Sequence, residues 1–148
     1  MTARIILMKT INLPKILIVD DNANNLFALE ALLEDMDLEI LQATSGNEAL
    51  ILVAKHDLAL ILLDVQMPDM DGYEMASIMG GVEKMKNIPI VFVTANSNTD
   101  KEIFKGYSAG AGDYLAKPVN EHDLFATMST WLYQKHFPIM EEGKREGL

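Results

Sequence analysis

The sequence predicts an α/β protein built from five strand–helix units, with one parallel sheet covered by helices on both faces. Three observations point there. Short runs rich in Ile, Val and Leu alternate with longer amphipathic segments along the chain, and such alternation implies a parallel sheet with crossover helices. The run "LALILLD" (58–64) is apolar until its last residue, as a strand covered on both faces must be. The 148 residues suffice for one domain with its own core.

Each element has its own signal. "KILIVD" (15–20) is short, branched and preceded by Pro14, so it reads as a buried strand. "NNLFALEALLEDM" (24–36) puts Leu26, Leu29 and Leu33 on one helical face. "LEILQAT" (38–44) is the second strand, "GNEALILVAKH" (46–56) the second helix and 58–64 the third strand. "DGYEMASIMGG" (71–81) is a helix that ends in glycines, and "IPIVFVTA" (88–95) is the fourth strand. "TDKEIFKGYSAG" (99–110) opens on a Thr/Asp cap and closes at glycine. "DYLAKP" (113–118) is a short fifth strand. "NEHDLFATMSTWLYQKH" (120–136) is the last helix, with Leu124, Met128, Trp131 and Leu132 on its apolar side. Residues 1–13 read as a leader, 14–136 as the domain, and 137–148 as a tail or linker stump.

Composition narrows the function. The net charge of −10 repels nucleic acid, so direct binding to DNA or RNA is not expected. There is no cysteine, hence no disulfide framework or thiolate chemistry, which fits a cytoplasmic location. No apolar run approaches the roughly 20 residues of a membrane helix. "PDMDGYE" hints at a calcium loop. With Gly72 at its sixth position, however, Met67 and Ile78 fall where acids are needed. No GxxxxGK[ST] occurs, and "GAG" (110–112) precedes a strand rather than a helix, so neither phosphate-loop fingerprint is present.

Parallel strands share one C-terminal rim, and ligands bind there. The first strand ends in Asp20 and Asp21, the third in Asp64, the fourth in Thr94 and the fifth in Lys117 followed by Pro118. Carboxylates this close repel and raise one another's pKa. A hard divalent cation relieves them, and Mg²⁺ suits oxygen ligands and phosphate best. A cation, an ammonium, a hydroxyl and a nucleophilic carboxylate together suit phosphoryl transfer.

The motifs "VDDN" (19–22), "LLDVQMPDMDG" (62–72), "VTA" (93–95) and "DYLAKPV" (113–119) closely resemble the receiver domain of two-component response regulators, the CheY-like superfamily. The resemblance covers roughly residues 14–136. It implies the flavodoxin-like (βα)5 fold with strand order 2-1-3-4-5. It implies that Asp64 accepts a phosphoryl group from a phosphohistidine of a sensor histidine kinase or histidine phosphotransfer protein. Asp21 would ligate Mg²⁺ (or Mn²⁺) directly, Asp20 largely through water, and the backbone carbonyl of Gln66 would add a ligand beside Asp64. Lys117 would pair with Asp64 and then with the phosphoryl oxygens, and Thr94 would bond one of those oxygens. The Lys117–Pro118 bond matches the family's cis peptide. Tyr114 matches the switch aromatic, and the surface of residues 99–110, 113–117 and 120–135 would carry the signal. Gln66 and Asn96 hold the lifetime-tuning positions. As neutral amides they suggest slow to moderate self-dephosphorylation. Pairing of two copies through residues 99–135 is a habit of the family.

Blander readings stand beside these. Taken alone, Asp64 is a turn or capping carboxylate. Asp20–Asp21 can cap the helix that begins near Asn22. Thr94 can be an ordinary strand-end residue, Lys117 a solvated lysine and Tyr114 a static packed ring. His56, His122 and His136 read as surface residues, and the ten methionines as core filling. Two other functions compete. An aspartyl-phosphate phosphohydrolase needs an acid two residues after its nucleophile, where Gln66 stands. A receiver used only as an unphosphorylated scaffold would not need the acids, Thr94 and Lys117 together. The expected role is a signalling domain that catalyses only its own phosphorylation and dephosphorylation. No effector follows residue 136 in this sequence, so the output is either a docking partner or a domain of a longer hybrid kinase or regulator.

Overall fold

The computed structural model describes residues 13–95 and 112–136, with backbone alone for 133–136. The predicted leader up to residue 12, Asn96, the helix at 99–110, the His136 side chain and the tail 137–148 lie outside the described residues.

Five strands form one parallel sheet: β1 (Lys15–Val19), β2 (Glu39–Ala43), β3 (Leu60–Asp64), β4 (Ile90–Thr94) and β5 (Asp113–Ala116). Their order is β2-β1-β3-β4-β5, the flavodoxin-like order. The described helices are α1 (Ala23–Leu32), α2 (Gly46–Lys55), α3 (Gly72–Gly80) and α4 (Glu121–His136). β3 and β4 are buried at every residue, which is why their sequences are continuously apolar. The edge strands β2 and β5 are only partly buried and carry polar residues.

The pleat sorts side chains onto two faces. Leu17, Val19, Ile61, Leu63 and Phe92 pack on one side against Ala49 and Val53 of α2 and Met75 and Met79 of α3. Ile16, Ile18, Leu60, Leu62, Val91 and Val93 pack on the other against Leu26 of α1 and Leu124, Met128 and Leu132 of α4. Each helix start is capped by a side chain that satisfies otherwise unpaired N–H groups. Ser45 Oγ accepts from Glu48 N at 3.1 Å, Asp71 Oδ1 from Glu74 N at 2.8 Å, and Asn120 Oδ1 from Asp123 N at 3.0 Å.

Several elements are shorter than the sequence suggests, for identifiable reasons. α1 stops at Leu32 with Leu33 as its cap. Glu34, Asp35 and Asp37 follow, and acids are unfavourable at the negative end of a helix. β4 begins after Pro89 and β5 ends before Lys117 and Pro118, because proline has no N–H for a ladder. The capping role weighed for Asp20–Asp21 falls instead to Asn22, whose side chain accepts from the N–H groups of Asn24 and Asn25. His56 is half-buried and His122 exposed.

Candidate functional site

Register brings the strand ends together. Val19 pairs with Leu63, so Asp20 comes level with Asp64 on the neighbouring strand. By alternation both follow the Ile18 and Leu62 side of the sheet, towards α1 and α4. Thr94 pairs with Ala116, and the next residue is Lys117. The Lys117 N–H still donates to Thr94 O at 2.8 Å, which fixes the base of its side chain, and the Lys117–Pro118 peptide bond is cis.

Lys117 Nζ reaches two carboxylates: Asp64 Oδ1 at 3.0 Å and Asp20 Oδ2 at 3.2 Å. Asp64 is 4% exposed and Asp20 6%. Asp21 is exposed, yet one carboxylate oxygen from each of Asp20, Asp21 and Asp64 lies within 4.8 Å of the others. Burial pushes the Asp64 carboxyl above the ordinary range, and the neighbouring charges of Asp20 and Asp21 add to that. The bond from Lys117 and its positive charge oppose the rise without cancelling it. Burial works against the Lys117 ammonium, but the bond and charge of Asp64, with those of Asp20, outweigh it and raise its pKa. The two directions look inconsistent for one ion pair. They agree because burial, the largest cause, lifts the Asp64 carboxyl further than one lysine offsets, while the Lys117 ammonium gains from two carboxylates at once.

The donor set fits a hard cation, since its ligands are all carboxylate oxygens. The three acids differ in how much of their capacity is free. Asp20 Oδ1 accepts the Asn22 N–H at 2.9 Å, and its Oδ2 accepts Asn25 Nδ2 at 3.1 Å as well as Lys117. Asp21 accepts no hydrogen bond among the described residues. Asp20, Asn25, Lys117 and Pro118 line one cavity of about 510 Å³, floored by Leu29, Leu32 and Val93.

Gly72 sits behind Asp64. A Cβ on Gly72 would lie 2.6 Å from the Asp64 carbonyl oxygen, while the Gly72 N–H donates to Val65 O at 2.9 Å. Only a residue without a side chain lets α3 start this close to the end of β3. Thr94 is 1% exposed and follows Phe92 on the α2/α3 side of the sheet. Tyr114 is half-buried against that same cluster and paired with Phe92. Gln66 is exposed beyond β3. The sequence alone assigns no role to Asn25 and offers Gly72 only as a position in a calcium-loop pattern that fails. The spacing Asp20-x-Asn22-x-x-Asn25 was the available sign for Asn25, because a helix's first turn can bond back to the strand that feeds it.

Fold and rim together define a signal receiver domain. The family model for the response regulator receiver domain matches residues 16–129, and the chain belongs to that family of two-component signalling. The sensor protein GacS of Pseudomonas syringae pv. syringae is 36% identical over 123 residues, which is 80% of this chain and 13% of that relative's length. The chemotaxis protein CheY4 of Vibrio cholerae superposes with a TM-score of 0.74 at 31% identity, covering 81% of this chain and 99% of that one. The receiver domain of the sensor histidine kinase PA1611 from Pseudomonas aeruginosa PAO1 has a magnesium ion coordinated in its active site cleft. It superposes with a TM-score of 0.73 at 30% identity, covering 80% of this chain and 97% of that one. No helix among the described residues is long and apolar enough to cross a membrane.

Proposed function

We propose that Asp64 accepts a phosphoryl group from a phosphohistidine of a sensor histidine kinase or histidine phosphotransfer protein. The setting of Asp64 carries this reading. It is buried at a strand end, 3.0 Å from Lys117 and beside two more carboxylates. Lys117 holds Oδ1, which leaves Oδ2 to attack. As the new O–P bond forms, the P–N bond breaks. Its electron pair returns to the imidazole nitrogen, which takes up a proton. Asp64 then carries an acyl phosphate, and Lys117 shifts its donors to the phosphoryl oxygens. A bound Mg²⁺ (or Mn²⁺) supplies charge neutralisation for the carboxylates and the phosphoryl group. Asp21, with its free acceptors, would hold it directly. Asp20, with donors on both oxygens, would hold it largely through water. Asp64 and the Gln66 carbonyl complete the set.

The same geometry supports a switch. The Thr94 hydroxyl donates to a phosphoryl oxygen and moves towards the rim. Thr94 shares its side of the sheet with Tyr114, so that movement opens space for the ring to turn inward. The surface of residues 99–110, 113–117 and 120–135 changes with it and passes the signal to an output domain, a partner or a second copy. Gln66 and Asn96, both neutral amides, give slow to moderate self-dephosphorylation. The domain acts in the cytoplasm and catalyses only its own phosphorylation and dephosphorylation.

Beryllofluoride, which mimics a phosphoryl group on a carboxylate, tests this. Wild type should bind it only with Mg²⁺, and Asp64→Asn should not bind it. Amide NMR shifts should spread from Asp64 to Tyr114. A wild type that ignores beryllofluoride would leave the scaffold function in front.

A further inference from the structure

Asn25 belongs to none of the groups that act on the phosphoryl, yet it touches one that serves the cation. It lies in the first turn of α1, three residues after the cap Asn22. Its Nδ2 donates to Asp20 Oδ2 at 3.1 Å. A carboxylate only accepts, so the amide must present its NH₂ here. On the other oxygen, the Asn22 N–H donates to Oδ1 at 2.9 Å. Two donors from the start of one helix, one on each oxygen, fix the side-chain torsions of Asp20. The third donor, Lys117, is also bonded to Asp64 and sits on a flexible stem. The Asn25 side chain makes no other hydrogen bond among the described residues, so nothing draws it away.

We propose that Asn25 is a positioning residue that keeps Asp20 oriented towards the cation, including when Lys117 is engaged with a phosphoryl group. The inference rests on the reading of Asp20, Asp21 and Asp64 as a cation site. Groups that orient a metal's ligands commonly affect its affinity by an order of magnitude or more. Here Asp20 is also held by a backbone N–H, so a smaller effect is expected.

The test is a MgCl₂ titration followed by the backbone amide shifts of Asp21 and Gln66, on wild type, Asn25→Ala and Asn24→Ala. Asn24 is an exposed neighbour in the same helix turn, and its side chain bonds no carboxylate among the described residues. Both substitutions raise helix propensity alike, so an effect acting only through the helix would move both variants together. Asn25→Ala should weaken Mg²⁺ binding roughly three- to tenfold, with Asn24→Ala matching wild type. An Asn25→Ala affinity within about twofold of a wild type that does bind Mg²⁺ overturns this inference alone. A wild type that binds no Mg²⁺ overturns the cation-site reading and this inference with it.

Discussion

The inner lengths of β3 and β4 and their C-terminal ends lie one residue apart and obey opposite rules. From Leu60 to Leu63 and from Ile90 to Val93 every side chain is apolar and buried. One step further stand Asp64 and Thr94, equally buried and polar. The inner lengths lower the free energy of the fold through area removed from water. At the rim, Asp64 is held with its carboxyl pKa raised, so its ionisation at neutral pH opposes folding. One continuous ladder serves both regions. The pairing of β1 with β3 brings the carboxylates that follow Val19 and Leu63 to within 4.8 Å of one another. The stability of the interior thus offsets the cost of a buried charge at the edge.

If that division is right, substitutions in the two regions should separate stability from ligand binding. The largest effect belongs to the interior. Phe92→Ala removes a fully buried ring that packs on Tyr73 with centroids 4.7 Å apart. It should cost about 3–5 kcal/mol in urea unfolding, while the folded fraction binds Mg²⁺ as wild type does. Gly72→Ala sits on the boundary. The added Cβ must push against the backbone of Asp64, so stability should fall by about 2–3 kcal/mol and Mg²⁺ affinity should fall too. A Gly72→Ala protein with normal Mg²⁺ binding would show that the close approach serves only packing.

Lys117→Ala gives a smaller loss, about 1–2 kcal/mol at neutral pH without Mg²⁺. The Lys117 pKa is raised in the folded state. Its contribution is therefore fully present at neutral pH and is lost as pH rises through that folded value, above the ordinary lysine range. Unfolding followed across alkaline pH should show wild type and variant converging. A gap that stayed constant would assign the loss to packing of the lysine stem.

The interior was far more legible in the sequence than the rim. β3 and β4 announce themselves as continuous apolar runs, and their ends mark Asp64 and Thr94 as rim residues. Sequence periodicity says nothing about which strands are neighbours. The order β2-β1-β3-β4-β5 came from the family motifs, and with it the closeness of Asp20 to Asp64. The cap is ambiguous in the sequence because Asp20, Asp21 and Asn22 are consecutive and all can cap. Asp20 turns back to bond the Asn22 N–H, which leaves the helix to Asn22. The bond from Asn25 and the close approach at Gly72 are illegible for a related reason. Their roles depend on a side chain folding back onto a strand end, and on a clearance of 2.6 Å at a missing Cβ. Neither leaves a periodic trace.

The most direct test of the division is the thermal midpoint of wild type and Asp64→Asn, each with and without Mg²⁺. A carboxyl whose pKa is raised by folding disfavours the fold once ionised. Without Mg²⁺ at neutral pH, Asp64→Asn should therefore be the more stable protein, by an amount of order 1 kcal/mol. That advantage should disappear as pH falls below the ordinary carboxyl range. Mg²⁺ at ten times its dissociation constant should add about 1.4 kcal/mol to wild type and much less to the variant, closing or reversing the gap. An Asp64→Asn protein less stable than wild type without Mg²⁺, or a wild type whose midpoint ignores Mg²⁺, would contradict the account of the rim as a site whose buried, ionised carboxylate opposes the fold until a cation binds.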